Sequence, residues 1–131
     1  MAIDLISSES KLRRALAILE KELFDKIISI RLFILKKRLS FELEDGIKGF
    51  IQFNDYGEYG YNLQFSSLNL DRCRFDNFDS FWDVSTKPHH FHPRYEKKGQ
   101  PSPMNGDPEI DIPRLVKHLR TGDLKSAQFR F

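Results

Sequence analysis

A period-two alternation of apolar and polar residues constrains the fold of this chain more than any other feature. Between Leu39 and Leu43 the residues alternate strictly, and Asp45-Gly46 follows, a dipeptide typical of type I′ β-hairpins because it tolerates the positive φ angles of that turn. Ile47 to Phe53 have the composition of a returning strand. The pattern therefore predicts an antiparallel hairpin with one buried face.

Further strands are predicted on both sides of this hairpin. Alternation from Ile27 predicts a strand before it, and Tyr59 to Phe65 predict one after it. A short strand is predicted from about Leu68 to Phe75. Closely spaced strands joined by short turns form an antiparallel meander, so we expect about five strands over residues 27–76.

Amphipathic helices are predicted at both ends of the chain. Residues 9–25 carry leucines at three- and four-residue steps, with Ser7 or Ser8 as the N-cap. Residues 111–121 form the second, with Asp111 as N-cap, Pro113 in the first turn and Gly122 at the end. The fold class is therefore α+β, an antiparallel meander packed by N-terminal and C-terminal helices.

Size and composition fit a single domain over residues 1–131. The chain has a mass of 15.5 kDa, with 40% hydrophobic and 31% charged residues. No stretch approaches the roughly 20 apolar residues of a membrane helix, and the N-terminus lacks the features of a secretory signal. With Cys73 as the single cysteine, no internal disulfide can form. We expect a cytoplasmic protein without a membrane partner.

Charge is distributed in three blocks although the net charge is only +2. Residues 1–40 sum to +4, residues 41–84 to −6 and residues 85–131 to +4. Basic segments around an acidic centre are compatible with a phosphate-binding face beside an acidic face for another partner. Ordinary solvated surface charge explains the same pattern equally well.

A histidine-rich run lies inside residues 77–109, a segment without periodicity that we expect to be irregular. His89, His90 and His92 fall between two prolines in the sequence PHHFHP. In an extended segment His90 and His92 project from one side and His89 from the other. Because neutral imidazole suits proton transfer near pH 7, such a pair can act as general base and general acid in cleaving RNA through its own 2′-hydroxyl.

Two alternatives to this acid–base interpretation remain open. The His-x-His spacing also binds divalent transition metals when a carboxylate joins it, and Asp76, Asp79 and Asp83 lie just upstream. Alternatively, the histidines form a hydrogen-bonded structural loop. The primary expectation is that no cofactor is needed, with a metal held by His90, His92 and Asp76 as the alternative.

Polar residues at the end of the fifth predicted strand are further candidates. Arg74 is placed to hold a phosphate, Asp76 to orient an imidazole and Asn77 to contact substrate. A sheet-edge ion pair followed by an Asp-Asn turn is the structural alternative.

Basic and aromatic residues flank the histidine run. Lys87 and Arg94 could bind a polyanion, and Tyr95 could stack on an unpaired base. A solvated run of charges is equally compatible with these residues.

Several of these motifs together resemble the TumE family of toxin components. The resemblance covers about residues 27–120 and rests on the meander, the Tyr-x-Tyr-x-Leu strand from Tyr59, the Arg-Phe-Asp-Asn segment from Arg74, the Pro-His-His-x-His run from Pro88 and the closing helix. It implies a toxin of a toxin–antitoxin system that is silenced by a cognate antitoxin protein.

The histidine chemistry supplies the rest of the functional hypothesis. We predict a metal-independent endoribonuclease with RNA as substrate, in which His89, His90, His92, Asp76 and Arg74 form the catalytic group. A metal-dependent phosphodiesterase and a non-enzymatic binding module are the alternatives. A homodimer is compatible with the sequence, since the N-terminal helix could serve as core or as dimer surface.

Overall fold

A seven-stranded antiparallel sheet forms the centre of the molecule. The structure is a computed structural model that describes residues 7–78 and 83–131. Neighbouring strands in the sheet follow the order of the sequence, without a crossover. The strands are β1 (Ile27–Phe33), β2 (Arg38–Leu43), β3 (Lys48–Phe53), β4 (Tyr59–Gln64), β5 (Arg72–Asp76), β6 (His90–His92) and β7 (Gln100–Pro101).

The α+β prediction is confirmed, but the described residues form a sheet of seven strands where about five were expected. The two extra strands, β6 and β7, lie inside the segment expected to be irregular. They are only three and two residues long. All three residues of β6 are buried, so the strand lacks the alternation of buried and exposed positions by which strands are recognised in a sequence.

The hairpin predicted from Asp45-Gly46 is present between β2 and β3. Leu43 accepts a hydrogen bond from the N–H of Gly46 and donates one to the carbonyl of Ile47, which closes a three-residue loop. Gly46 has a φ of 92°, whereas Asp45 is not among the residues with positive φ. The loop therefore needs one left-handed residue rather than the two of a type I′ turn.

Helix α1 (Ser8–Glu22) packs its leucine stripe on the sheet. The Ser7 side chain caps it by accepting a hydrogen bond from the N–H of Ser10, as one of the two predicted N-caps. Leu12, Leu19 and Leu23 are completely buried. Burying a leucine side chain stabilises the fold by about 2 kcal/mol, so this stripe anchors α1.

Helix α2 (Pro108–Thr121) begins earlier than predicted. Its N-cap is Asp107, whose side chain accepts a hydrogen bond from the N–H of Glu109. Asp111, predicted as the cap, lies inside the helix and is fully buried. Gly122 ends the helix in the left-handed conformation, as predicted.

The two faces of the sheet have opposite characters. The face that packs against the helices is apolar, and a row of paired residues crosses it from β2 to β5: Leu39, Ile51, Tyr61 and Phe75. The other face, here called the open face, is polar. In β2 to β6 it carries Arg38, Ser40, Glu42, Lys48, Phe50, Gln52, Gly60, Asn62, Gln64, Arg72, Arg74, Asp76, His90 and His92.

The C-terminal segment docks on the core side of β5 and β6. The ring of Phe131 lies 5.0 Å from that of Phe91 and 5.7 Å from that of Phe75, between centroids. Phe129 and Phe131 also contact the ring of His118. In the described part of the chain, no helix has the length and apolar character needed to cross a membrane.

Candidate functional site

Asp76, His90 and His92 are brought together by the pairing of β5 with β6. Asp76 lies opposite His90, and Arg74 lies opposite His92. Because side chains alternate along a strand, these four residues share the open face, while Phe75 and Phe91 lie on the core face. We call Asp76, His90 and His92 the Asp-His-His cluster.

The donor atoms of the Asp-His-His cluster converge on one point. One potential ligand atom from each of the three residues lies within 4.8 Å of the other two. His90 Nε2 contacts Asp76 Oδ1, and His92 Nε2 lies 4.0 Å from Asp76 Oδ2. The imidazole rings are nearly perpendicular, at 88°, with their centroids 4.9 Å apart. Both histidines therefore present the same nitrogen to the same carboxylate.

Backbone carbonyls fix the orientation of both rings. His90 Nδ1 lies 2.9 Å from the carbonyl oxygen of Pro88, and His92 Nδ1 lies 2.8 Å from that of Lys97. Since a carbonyl only accepts, each Nδ1 carries the proton and donates it. This arrangement holds each Nε2 towards Asp76, and it is the usual support for histidines that ligate metals.

Burial and charge define the electrostatics of the cluster. The three residues are between 1% and 8% exposed, with His92 the most accessible. Burial lowers the pKa of His92, and the negative charge of Asp76 opposes this effect. His92 is therefore held mainly as the neutral imidazole at neutral pH, the form that acts as a base or a metal ligand.

Arg74 joins the cluster to the rest of the open face. Its Nε contacts Asp76 Oδ2, and a third of its side chain is exposed. The guanidinium lies 5.4 Å from the ring centroid of Phe78, which covers Gly60 on the neighbouring strand. A phosphate approaching the cluster would thus meet a positively charged group beside it.

His89 points away from the cluster, as the alternation of side chains predicts. Its Nδ1 lies 2.9 Å from the hydroxyl of Tyr59, and the two rings stack with centroids 5.8 Å apart. Tyr59 is fully buried on the core face. His89 thus forms a packed pair with Tyr59 away from the cluster, and we leave it out of the catalytic group that was expected from the sequence.

Asn77 fixes the loop beside the strand end. Its side-chain oxygen accepts from the N–H of Tyr59 at 2.9 Å, and its side-chain nitrogen donates to the carbonyl of Gly57 at 3.1 Å. Both groups of the amide are thus used to join β5 to the β3–β4 turn.

The predicted basic and aromatic flank is dispersed. Lys87 is exposed in the turn before β6. Arg94 contacts Asp71 through Nε and donates to the carbonyl of Lys125 at 3.0 Å. Its guanidinium also lies 4.9 Å from the ring centroid of the half-exposed Tyr95. Arg94 and Tyr95 therefore have partners of their own outside the Asp-His-His cluster.

Two other aspartates were predicted as metal ligands, and Asp83 is not part of the cluster. Asp79 lies outside the described residues, and Asp83 is exposed. Over residues 7–78 and 83–131, Asp76, His90 and His92 are the one group with the spacing of a metal site.

Sequence reasoning missed a groove on the open face beside the cluster. Arg38, Phe50, Asn62 and Arg74 are among the residues that line it. Within the described chain, Arg38 Nε and Asn62 Oδ1 are buried without a hydrogen-bond partner. The sequence signal for the groove was the set of polar residues that alternate with apolar ones in each strand. Which of them lie side by side depends on the register between strands, which the sequence pattern does not show.

Together these features define a small α+β protein with a buried cluster of two histidines and one carboxylate at the end of an antiparallel sheet. Comparison with protein families gives a match to the family described as Toxin TumE over residues 6–121. The chain belongs to this toxin family. It is therefore a toxin component of a toxin–antitoxin system, with an antitoxin as partner. Comparison with curated proteins and with solved structures gave no significant match.

Proposed function

We propose that this toxin cleaves RNA at the Asp-His-His cluster with the help of a divalent transition metal. The supporting observation is the convergence of His90 Nε2 and His92 Nε2 on the Asp76 carboxylate while both Nδ1 atoms donate to backbone carbonyls. Two imidazoles and a carboxylate form a ligand set typical of such metals. The proposal places the activity in the cytoplasm, where the RNA is.

The three side chains would hold the ion, and the strands would hold the side chains. Asp76 and His90 are opposite each other across the β5–β6 pair, so their separation is set by backbone hydrogen bonds rather than by a loop. The bound ion would act as a Lewis acid on the scissile phosphate and leave open positions for substrate. A ligand set of three suits that role, because closed structural sites use four.

Arg74 would bind the phosphate. Nε is directed to Asp76, while the side chain is 34% exposed beside the cluster. In cleavage through the 2′-hydroxyl, the hydroxyl gives up its proton as the 2′-oxygen bonds to phosphorus, and the bond to the 5′-oxygen breaks as that oxygen takes up a proton. Negative charge increases on the phosphoryl oxygens during this step, so a fixed guanidinium stabilises the transition state more than the ground state.

Metal-independent acid–base catalysis by the two histidines is the second candidate. It is favoured by His92, which is the most accessible member of the cluster and whose pKa is lowered by burial. It is disfavoured by His90, whose side chain is 1% exposed and whose Nε2 contacts Asp76. To protonate a leaving oxygen, His90 would have to turn away from that carboxylate.

A cleavage assay separates the two candidates. Purified toxin is treated with EDTA, freed of the chelator and incubated with a labelled single-stranded RNA, with and without added Mn²⁺ or Zn²⁺. We expect cleavage only after metal is added. Cleavage that persists in EDTA would favour the acid–base candidate, and no cleavage under any condition would contradict both.

Two histidine variants provide matched controls for this assay. His92→Ala removes a member of the cluster and should reduce the cleavage rate at least about 100-fold. His89→Ala removes the same side chain from the opposite face of the same segment and should change the rate by less than about threefold. Equal loss of cleavage in the two variants would contradict the proposal, provided that circular dichroism shows both to be folded.

A further inference from the structure

The groove on the open face has features of a nucleotide-binding site. We propose that it binds an unpaired nucleotide of single-stranded RNA and so leads the substrate to the Asp-His-His cluster. This inference rests on the proposed function for the choice of RNA, and it adds the form of RNA and the residues that bind it.

Phe50 forms the common wall of two neighbouring depressions. On one side lie Arg38, Asn62 and Arg74, and on the other lie Arg31 and Lys48. The Arg38 guanidinium lies 5.5 Å from the centroid of the Phe50 ring. An aromatic ring beside cationic side chains provides a stacking surface for a base and partners for its phosphate.

Unused hydrogen-bonding groups point to a polar ligand in the groove. Arg38 Nε is a buried donor, and Asn62 Oδ1 is a buried acceptor, and both lack a partner among the described residues. Leaving such groups unpaired is costly. The edge of an unpaired base presents donors and acceptors side by side, and it would satisfy groups of both kinds.

The charge of the open face favours a polyanion. In strands β1 to β5, five cationic side chains lie on it, against the two carboxylates of Glu42 and Asp76. The cationic residues are Arg31, Arg38, Lys48, Arg72 and Arg74. Fixed positive charge next to an aromatic ring distinguishes this face from a site for an apolar protein segment.

The groove is continuous with the Asp-His-His cluster through Arg74. This side chain lines the groove and contacts Asp76 at the same time. A strand of RNA that places a base against Phe50 would therefore pass Arg74 on its way to the cluster. In a duplex the base edges are paired, so the groove should select single strands.

Binding is measured in EDTA, so that the test does not depend on cleavage. The full chain is titrated into a fluorescein-labelled single-stranded RNA, the same RNA as a duplex, and an acidic peptide, with anisotropy as the readout. We expect tightest binding to the single strand. Phe50→Ala and Arg38→Gln should each weaken it about tenfold.

Matched controls remove side chains of the same two types at positions that do not line the groove. Phe24→Ala deletes a ring that is 73% exposed, and Arg13→Gln removes a surface charge of α1. Both should bind RNA within about twofold of the unmodified chain. Equal weakening by control and groove variants, or a preference for duplex or for the acidic peptide, would overturn the proposal.

A cross-linking experiment keeps the proposal falsifiable if a groove variant fails to fold. RNA containing 4-thiouridine is irradiated with the unmodified chain, and the adducts are mapped by mass spectrometry. We expect adducts in β2 to β4. Adducts confined to α1 or α2 would overturn the proposal that RNA binds in the groove. RNA binding without metal-dependent cleavage would refute only the proposed function. Metal-dependent cleavage, with RNA binding unchanged in the groove variants, would refute only the role of the groove.

Discussion

Single buried side chains in this protein are held by several partners at once, and Asp111 shows the effect most clearly. Its Oδ2 accepts from the Tyr61 hydroxyl at 2.6 Å and from the N–H of Gly106 at 2.7 Å, and Asn105 donates a third bond. Burial raises the pKa of this carboxyl, and these hydrogen bonds oppose the rise. One side chain thus joins α2 to β4 and to the preceding loop.

Replacing Asp111 should destabilise the fold strongly. In Asp111→Ala the Tyr61 hydroxyl and the two backbone N–H groups lose their acceptor, which should cost about 3 kcal/mol of unfolding free energy in urea titrations. Asp111→Asn keeps one acceptor oxygen and should cost clearly less. An alanine variant within about 1 kcal/mol of the unmodified chain would show that these bonds do not stabilise the fold.

At the scale of elements, the sheet depends on close approach between neighbouring strands. Phe41 of β2 lies opposite Gly49 of β3, and its ring occupies the space of a side chain at that glycine. A Cβ atom added to Gly49 would overlap the Phe41 ring. The absence of a side chain in β3 therefore lets an aromatic ring lie flat on the strand.

Gly49→Ala should therefore destabilise the protein by about 2 kcal/mol, because the Phe41 ring must move out of a packed core. Thermal and urea denaturation measure the loss. Adding Phe41→Leu to the same chain should recover part of it, since the smaller side chain leaves room for the methyl group. If the double variant is no more stable than the sum of the two single changes predicts, the contact between Phe41 and position 49 is not the cause.

The elements also show what could be predicted from the sequence. The leucine stripe of α1 and the Asp45-Gly46 hairpin depend on local spacing, which a sequence displays directly. Strand β6 does not depend on local spacing in this way, because all three of its residues, including both histidines, are buried in the folded protein. Asp111 was predicted as a cap because aspartate is common there, yet its distant partner Tyr61 places it inside the helix.

The candidate site, like the fold, could be predicted from the sequence only where it depends on local patterns. Alternation alone indicated that His90 and His92 share a face while His89 does not, and position at a strand end singled out Arg74 and Asp76. The contact between Asp76 and His90 depends on register across a long connection, which local patterns do not encode. The groove at Phe50 was missed for the same reason.

At the scale of the whole molecule, Arg94 connects segments that are distant in sequence. It contacts Asp71, in the β4–β5 connection, and the carbonyl of Lys125, beyond α2. The guanidinium holds the pKa of Asp71 below its ordinary value. The ion pair thus stabilises the fold above the unfolded-state pKa of about 3.9, and this contribution is lost as the pH falls through the lower folded-state pKa.

Arg94→Gln should weaken this acid dependence. At pH 7 the variant should be less stable by about 2 kcal/mol, because a hydrogen bond to a buried carboxylate is lost. Between pH 7 and about pH 3 the unmodified chain should lose more unfolding free energy than the variant. Urea titrations at the two pH values provide the comparison, and parallel losses in both chains would mean that Asp71 does not contribute.

The central claim, that Asp76, His90 and His92 together hold a metal, is tested most directly by titrating Co²⁺ or Zn²⁺ into the EDTA-treated full chain by calorimetry. We predict one ion per chain, bound by the unmodified protein and by His89→Ala, with affinity reduced at least about tenfold in His92→Ala. The d–d absorption of Co²⁺ should report nitrogen ligands in the first two proteins. Absence of binding, or equal binding by His92→Ala and His89→Ala, would contradict the claim.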